Sequence, residues 1–196
     1  PYMGYADEKT LKKDVSLCPS ASKARNESGG GPGAGDGLGP LSAWGTYGGD
    51  GYLSGMSGSY SLNAWVYKVT VRDMDGSSDL KTKQWGTFNV KGANQIPLIG
   101  GNYRYASYPE VWDNPPEFEV GAEYVGLSSF AVNRHNGFIN MVFVDGSVRK
   151  VGLKELWSQN LNWHRKWQAD YATRTSRAGI QWPDWMKNFR DYGNNG

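Results

Sequence analysis

The chain has 196 residues, enough for one domain with a substantial buried core, and we predict a single domain over residues 1–196. Hydrophobic residues make up 38% of it, whereas 14% are aromatic and 27 residues are Gly, so we expect a loop-rich domain whose core uses aromatic rings. The formal charge of +2 is too close to zero to attract nucleic acid, and no apolar run approaches the roughly 18 residues of a membrane span.

The N-terminal part mixes charged residues, glycine and a single cysteine. Ala6–Leu17 predicts a short helix or turn that leads into a strand, and Pro19 ends it. Ser28–Gly39 holds so many glycines that a regular element is not expected. Cys18 cannot form a disulfide within this chain, and we expect it to be a small buried apolar residue. A catalytic thiol would need a base beside it, and the chain has 2 His.

A second strand is predicted at Tyr60–Arg72, where apolar and mixed positions alternate from Trp65 onward. The acidic residues that follow, Asp73, Asp75 and Asp79, resemble the start of a calcium-binding loop. The Glu that closes an EF-hand is missing downstream, so a solvated turn is the simpler interpretation. We therefore expect no cofactor, with calcium as the one alternative.

The middle of the chain is rich in aromatic residues. Ile96–Ile99 is predicted as a short strand, and Gly100–Gly121 as a long loop of the kind that is often functional. Two interpretations of the rings stay open: they form the core, or some form an exposed flat platform that binds carbohydrate or a partner. The residues considered for such a surface are Trp44, Tyr47, Tyr103, Tyr105 and Trp112.

Residues 134–151 have the clearest structural pattern. Asn136-Gly137 and Asp145-Gly146 are turn dipeptides that accept positive φ. The apolar run Phe138–Val144 between them predicts a strand with both faces covered.

Strands on either side of this run complete the prediction. Ser147–Val151 alternates after the second turn, and Ser129–His135 is predicted as a third strand. Short helices are expected at Leu153–Gln159 and around the spaced aromatic residues of Trp182–Phe189. We therefore predict an α+β fold: an antiparallel meander with long Gly- and aromatic-rich loops and short helices.

The run from His135 to Asp145-Gly146, a His followed by nine residues and Asp-Gly, resembles the signature of the prepilin-type, processing-associated H-X9-DG family of pseudopilin-like proteins. The C-terminal Trp182–Phe189 looks like the end of the forms abundant in planctomycete-like bacteria. Further segments that are similar to the family are Leu17–Ala21, Tyr60–Tyr67, Val148–Trp157 and Asn162–Trp167. The similarity therefore runs over most of the chain.

The resemblance implies a pilin-like globular head with a non-enzymatic role in a pilus-like or type II secretion-like assembly, outside the cell or at its surface. The implied partners are other pilin-like subunits, copies of this chain, exported cargo or surface glycans. Family members begin with a leader and a long apolar helix that anchors in the inner membrane. Because Pro1 resembles the family's interior, we expect that helix, and membrane contact through it, to be absent. The resemblance also allows Cys18 to pair with a cysteine upstream, and some type II secretion pseudopilins bind calcium beside their sheet.

An enzymatic interpretation would pair His135 with Asp145 as a general base. The intervening strand separates the two turns by about 20 Å, so we expect no contact and no enzyme activity. His135 is expected to hydrogen-bond its own turn, and His164 to be a packed residue and not a ligand. A carbohydrate-binding module is the alternative function. The motif residues predicted to be structural are His135, Asn136, Gly137, Asp145 and Gly146.

Overall fold

A mixed sheet of five strands carries the fold. The computed structural model describes residues 17–21, 23–24, 42–44, 57–66, 78–119, 126–175 and 179–191. The sheet order is β5-β3-β4-β6-β7, with every neighbouring pair antiparallel except β3 and β5, while β1 and β2 form a separate parallel pair. The strands are β1 Lys23–Ala24, β2 Ser42–Ala43, β3 Tyr60–Asn63, β4 Pro97–Gly101, β5 Ala106–Ser107, β6 Phe138–Phe143 and β7 Val148–Gly152.

Short helices accompany the sheet in the described residues. The α-helices are α1 Ser78–Lys83 and α2 Trp167–Thr175, and single 3-10 turns form at Ala93–Gln95, Gly126–Phe130, Lys154–Trp157 and Asp184–Met186. None of the helices within these ranges is long and apolar enough to cross a membrane. The chain therefore has an α+β fold, as the sequence predicts.

The hairpin predicted at the second turn is confirmed, since β6 and β7 pair antiparallel over five residue pairs. The chain reverses at Asp145-Gly146, where Gly146 has a φ of 83° and its N–H donates to the carbonyl of Phe143 at 2.9 Å. Ser147 donates its N–H and its hydroxyl to Oδ1 of Asp145, at 2.9 and 2.7 Å. All of these bonds join residues that are close in sequence.

One face of β6 lies in the core and the other is partly open. Ile139 and Met141 are fully buried, whereas Asn140 between them is exposed. The expectation that both faces are covered is therefore wrong for the second face. A charged side chain of β7 lies there, because the ammonium group of Lys150 is 4.9 Å from the ring centre of Phe138.

The third strand of the meander is not the one predicted. Ser129–His135 is not a strand, since a 3-10 turn covers Gly126–Phe130 and the chain then runs irregularly. The strand beside β6 is β4. Residues 127–132 are all buried, and periodicity cannot distinguish such a run from a covered strand. The parallel pair of β3 and β5 also corrects the purely antiparallel expectation, because the chain turns after β4 and returns along the outer edge of β3.

Several predicted elements are shorter than expected or lie outside the described residues. The strand predicted over Tyr60–Arg72 is formed as β3, and the chain turns at Ala64. Residues 67–77 lie outside the described part, as do Ala6–Ser16 and Ser28–Gly39.

The C-terminal third contains single turns where helices were predicted. Leu153–Gln159 forms only the 3-10 turn Lys154–Trp157, and Trp182–Phe189 forms only Asp184–Met186. Helix α2 was not predicted, because the segment that begins at Gln168 has few aliphatic residues to reveal a periodicity.

Buried tryptophans both fill the core and fix the backbone around it. Four are at most 1% exposed: Trp65, Trp157, Trp163 and Trp167. Each donates its indole N–H to a backbone carbonyl, at 2.7 to 3.1 Å, and the acceptors are Pro109, Asp113, Leu156 and Ser158. A buried N–H without a partner would cost about 1–3 kcal/mol. These hydrogen bonds therefore constrain the backbone conformation of the segments that supply the carbonyls.

Candidate functional site

The segment that leads into β6 places the motif histidine beside the single cysteine. Nε2 of His135 lies 3.5 Å from Sγ of Cys18, which is 2% exposed. The N–H of Cys18 donates to the hydroxyl of Ser59. Together with Tyr60 and Arg134, the two side chains line a cavity of about 10 Å³, the space of about one water molecule.

Arg134 connects this cavity to the sheet. Its guanidinium donates to the carbonyl of Ser59 at 2.6 Å and to that of Asn102 at 3.2 Å, and it lies 5.7 Å from the ring centre of Tyr103. Burial lowers the pKa of Arg134. Burial also raises the pKa of Tyr60, and the electrostatic interaction and hydrogen bond with the Cys18 side chain raise it further, whereas the charge of Arg134 acts in the opposite direction. The pocket thus holds a buried cation that bonds the residue before β3 and the residue after β4.

The chemistry of this pocket is limited by access. A thiol next to an imidazole is an arrangement used by catalytic cysteines. Cys18 is almost completely covered, however, and the cavity beside it has room for about one water molecule and not for a substrate. The geometry favours packing as the role of His135 and Cys18.

The two turns of the motif lie at opposite ends of β6. Asp145 is exposed, and the hydroxyl and N–H of Ser147 lower the pKa of its carboxyl group. At the other end Asn136 and Gly137 have φ values of 52° and 86°. The side chain that bonds this turn is not His135 as predicted but Asn133, whose Oδ1 accepts the N–H of Gly137 at 2.6 Å.

The residues predicted for a sugar or partner surface do not share one environment. Tyr103 is 4% exposed, and Trp44 is half-buried with its indole N–H on the carbonyl of Tyr60. Tyr105 and Trp112 are exposed, at 38% and 51%. Tyr47 lies outside the described residues. Only part of the predicted surface is therefore available to a ligand.

The calcium prediction falls largely outside the described residues. Asp73 and Asp75 lie there, and Asp79 lies on helix α1 and not in the turn that was predicted. The structure therefore describes no geometry for this set of carboxylates.

An irregular loop, residues 108–119, presents two large exposed rings, and we call it the pinned loop. Trp112 is 51% exposed and Phe118 is 64% exposed. The loop backbone is held from the core side, because its carbonyls accept indole N–H groups. The donor and acceptor pairs are Trp65 to Pro109 at 2.8 Å, Trp157 to Asp113 at 2.7 Å and Trp185 to Pro116 at 3.0 Å.

Asp113 is the main attachment point inside the loop. Its Oδ2 accepts the N–H of Leu127 at 2.6 Å and that of Glu110 at 2.9 Å, and its carbonyl accepts from Arg174 at 3.0 Å. Burial raises the pKa of Asp113 although these two N–H bonds act in the opposite direction. Gly126 has a φ of 57°, and a Cβ atom there would overlap the Asp113 carboxylate, so glycine is required on both grounds.

Beneath the pinned loop, two carboxylates lie beside a buried imidazole, and a lysine bonds one of them. His164 is fully buried, and its Nε2 lies 3.3 Å from Oε2 of Glu110 and 3.9 Å from Oδ2 of Asp170. Lys83 donates to both carboxylate oxygens of Glu110 at 2.9 Å, and its ammonium group is 4.9 Å from the ring centre of Trp112. The exposed ring and the buried cluster are thus joined through one lysine.

Sequence reasoning missed this cluster and treated His164 as a packed residue. Asp170 is six positions downstream in the first turn of α2, and Glu110 comes from a loop more than fifty positions upstream. No motif has this spacing, and α2 itself was not predicted. Only the folded chain brings the three side chains together.

Comparison of the chain with known protein families, with curated proteins and with solved structures gives no match in any of the three. The resemblance to the H-X9-DG family therefore stays a prediction from the sequence.

Proposed function

We propose that this chain is the globular head of a pilin-like assembly protein that binds other subunits outside the cell or at its surface and catalyses no reaction. The observation that carries the proposal is the pinned loop, which exposes Trp112 and Phe118 from a backbone held by three indole N–H bonds. The sequence resemblance names the class of assembly, and the loop supplies a surface suited to it.

The physical case rests on pre-organisation. Large exposed rings are the side chains that contribute most to protein interfaces, because they bury much apolar area with few rotatable bonds. A loop that is already ordered loses little conformational entropy on binding, so more of the contact energy is retained as affinity. Trp112 is itself oriented by Lys83, whose ammonium group lies over its ring.

The occupant we propose is another pilin-like subunit, a second copy of this chain included. A formal charge of +2 gives no long-range attraction to nucleic acid. The exposed rings of Trp112 and Phe118 instead offer apolar contacts to another protein. The water-sized cavity at His135 supports the non-enzymatic part of the proposal, since the most reactive side chains there are covered.

Site-specific photo-crosslinking in cells that make the protein tests this function. A photoreactive phenylalanine analogue replaces Trp112 or Phe118, and the control position is Val148, which is 67% exposed on strand β7. We expect covalent adducts with pilin-like subunits or with the same chain from the two loop positions and not from Val148. Equal capture at the control position, or no protein adduct from the loop, would contradict the proposal.

A carbohydrate platform is the second candidate, because Trp112 and Tyr105 are both exposed. It predicts that soluble oligosaccharides quench or shift the fluorescence of Trp112, and that Trp112→Ser removes the response. The Trp112→Ser variant should stay folded, since substitution of an exposed residue changes stability by roughly 0.5 kcal/mol or less. Saturable binding of sugar without protein adducts would favour this candidate over the subunit surface.

A further inference from the structure

His164 is the buried polar group that the fold leaves least satisfied in the described residues. It is fully buried, and neither Nδ1 nor Nε2 has a hydrogen-bond partner within that part of the chain. The edges of Trp65 and Trp167 flank the ring, with centres 5.6 and 5.3 Å away. Because nearly all buried polar atoms are paired, an imidazole in this state indicates a partner from outside the chain, a water molecule or an ion.

The atoms around Nε2 have the spacing of metal ligands. Oε2 of Glu110 is 3.3 Å away, Oδ2 of Asp170 is 3.9 Å away, and one ligand atom from each of the three residues lies within 4.8 Å of the others. Zinc bonds of about 2.0–2.2 Å in tetrahedral coordination place ligand atoms roughly 3.4 Å apart. Oδ2 of Asp170 is also buried and without a hydrogen-bond partner among the described residues.

We propose that Glu110, His164 and Asp170 bind one divalent transition-metal ion, with Zn²⁺ the best fit to the donor set. One imidazole and two carboxylates suit Zn²⁺, whereas Ca²⁺ takes only oxygen ligands. The side chains of Glu110 and Asp170 are 18% and 21% exposed, so an ion can enter from their side. A water molecule would complete the coordination.

Lys83 has a defined place in this arrangement. It donates to both carboxylate oxygens of Glu110. It can therefore remain hydrogen-bonded to Oε1 when Oε2 coordinates the ion. Partners of this kind orient the carboxylate ligands of metal sites. The positive charge of Lys83 also repels the ion, and it lowers the affinity below that of the same three ligands without it.

A proton on His164 is the competing explanation, since an imidazolium between two carboxylates also balances their charge. A shared proton requires an N–H that points at an oxygen. Nε2 is close to both carboxylates but makes no aligned hydrogen bond to either. This geometry favours an ion between the groups over a proton on one of them.

Such an ion would tie the pinned loop, through Glu110, to helix α2, through Asp170. It would therefore stabilise the surface that carries Trp112, although the site stands on its own geometry and does not rest on the proposed function. The metal proposal and the subunit proposal can fail independently. The crosslinking experiment replaces Trp112 or Phe118, and neither residue is one of the three metal ligands.

Zinc titration of the purified protein, stripped of metal beforehand, tests the site. Isothermal titration calorimetry should give one Zn²⁺ per chain, and the melting temperature should rise with Zn²⁺ concentration. Asp170→Asn and Glu110→Gln should each weaken binding by at least about tenfold, as lost ligands and their partners do in known sites. Asp184→Asn, an exposed carboxylate that pairs with Lys187 and is not one of the three ligands, is the matched control and should bind as the unaltered chain does.

The unaltered protein contains a second, internal control, because the chain has 2 His. Zn²⁺ should shift the ¹⁵N resonance of His164 Nε2 and leave that of His135 unchanged. This measurement uses the unaltered protein, so it does not depend on whether a variant folds. Failure of the unaltered chain to bind one Zn²⁺, equal loss in Asp184→Asn, or a shift confined to His135 would each overturn the proposal.

Discussion

The β6–β7 hairpin and the pinned loop are both well-defined segments, but different interactions define them. The hairpin turn is closed by bonds among Phe143, Asp145, Gly146 and Ser147, all neighbours in sequence. The pinned loop has no regular structure, and indole groups from distant parts of the chain bond its carbonyls. Local chemistry therefore determines the first segment, and tertiary contacts determine the second.

This difference bears on function. A residue in an exposed hairpin turn can be substituted without disturbing the core. In the pinned loop, a substitution at a residue that holds the backbone also moves the exposed rings. Gly126 illustrates the second case, because a side chain there would displace the Asp113 carboxylate. Substitutions in the two segments should therefore differ in their effect on stability.

The largest effect is expected from Asp113→Ala in the pinned loop. The change leaves the N–H groups of Leu127 and Glu110 without their shared acceptor, and it should lower the free energy of unfolding by about 2–3 kcal/mol. Asp145→Ala in the hairpin is the matched control, since that carboxylate is exposed. Urea unfolding of both variants should give a much larger loss for Asp113→Ala, and similar losses would refute the contrast.

Gly146→Val should cost less, about 1–2 kcal/mol. Its φ of 83° is strained for a side chain, although no atom lies within 4 Å of the added Cβ, so the cost is one of backbone strain alone. Gly179→Val is the control, because that glycine also faces open space and has no positive φ. Thermal unfolding should separate the two variants, and unchanged stability of Gly146→Val would show that the turn does not constrain the hairpin.

The smallest effect is a pH dependence that arises from Asp113. Burial raises the pKa of this carboxyl group in the folded state, so the native protein holds the proton more tightly than the unfolded chain. The contribution of Asp113 to the free energy of unfolding is therefore largest below about pH 3.9, the pKa of this group in the unfolded chain. The contribution decreases as the pH rises through the pKa in the folded state, and it is constant above that pKa.

Asp113→Asn isolates that dependence, because an amide oxygen can still accept both N–H groups and carries no charge. The stability of the variant relative to the unaltered protein should increase with pH across this window in urea unfolding experiments. A difference that stays constant with pH would mean that burial of the Asp113 carboxylate carries no cost.

Prediction succeeded where short-range patterns control the backbone. The Asp145-Gly146 turn and the strand before it were predicted from a dipeptide and an apolar run, and β4 was predicted within one or two residues as Ile96–Ile99. It failed at Ser129–His135, because the buried run 127–132 has the composition of a strand, whereas the chain forms a 3-10 turn that ends at Phe130 and then continues without regular structure. The partner of Gly137 was also missed, since the prediction named His135 and the bond is made by Asn133, four positions before the glycine.

An α+β domain around a hairpin could be predicted from the sequence, because turn dipeptides and the alternation of apolar and polar side chains concern positions that are close along the chain. The contact of Cys18 with His135, the attachment of the pinned loop and the Glu110–His164–Asp170 cluster were decided only by the tertiary structure. Each depends on side chains that are far apart along the chain, and no local pattern records which of them meet.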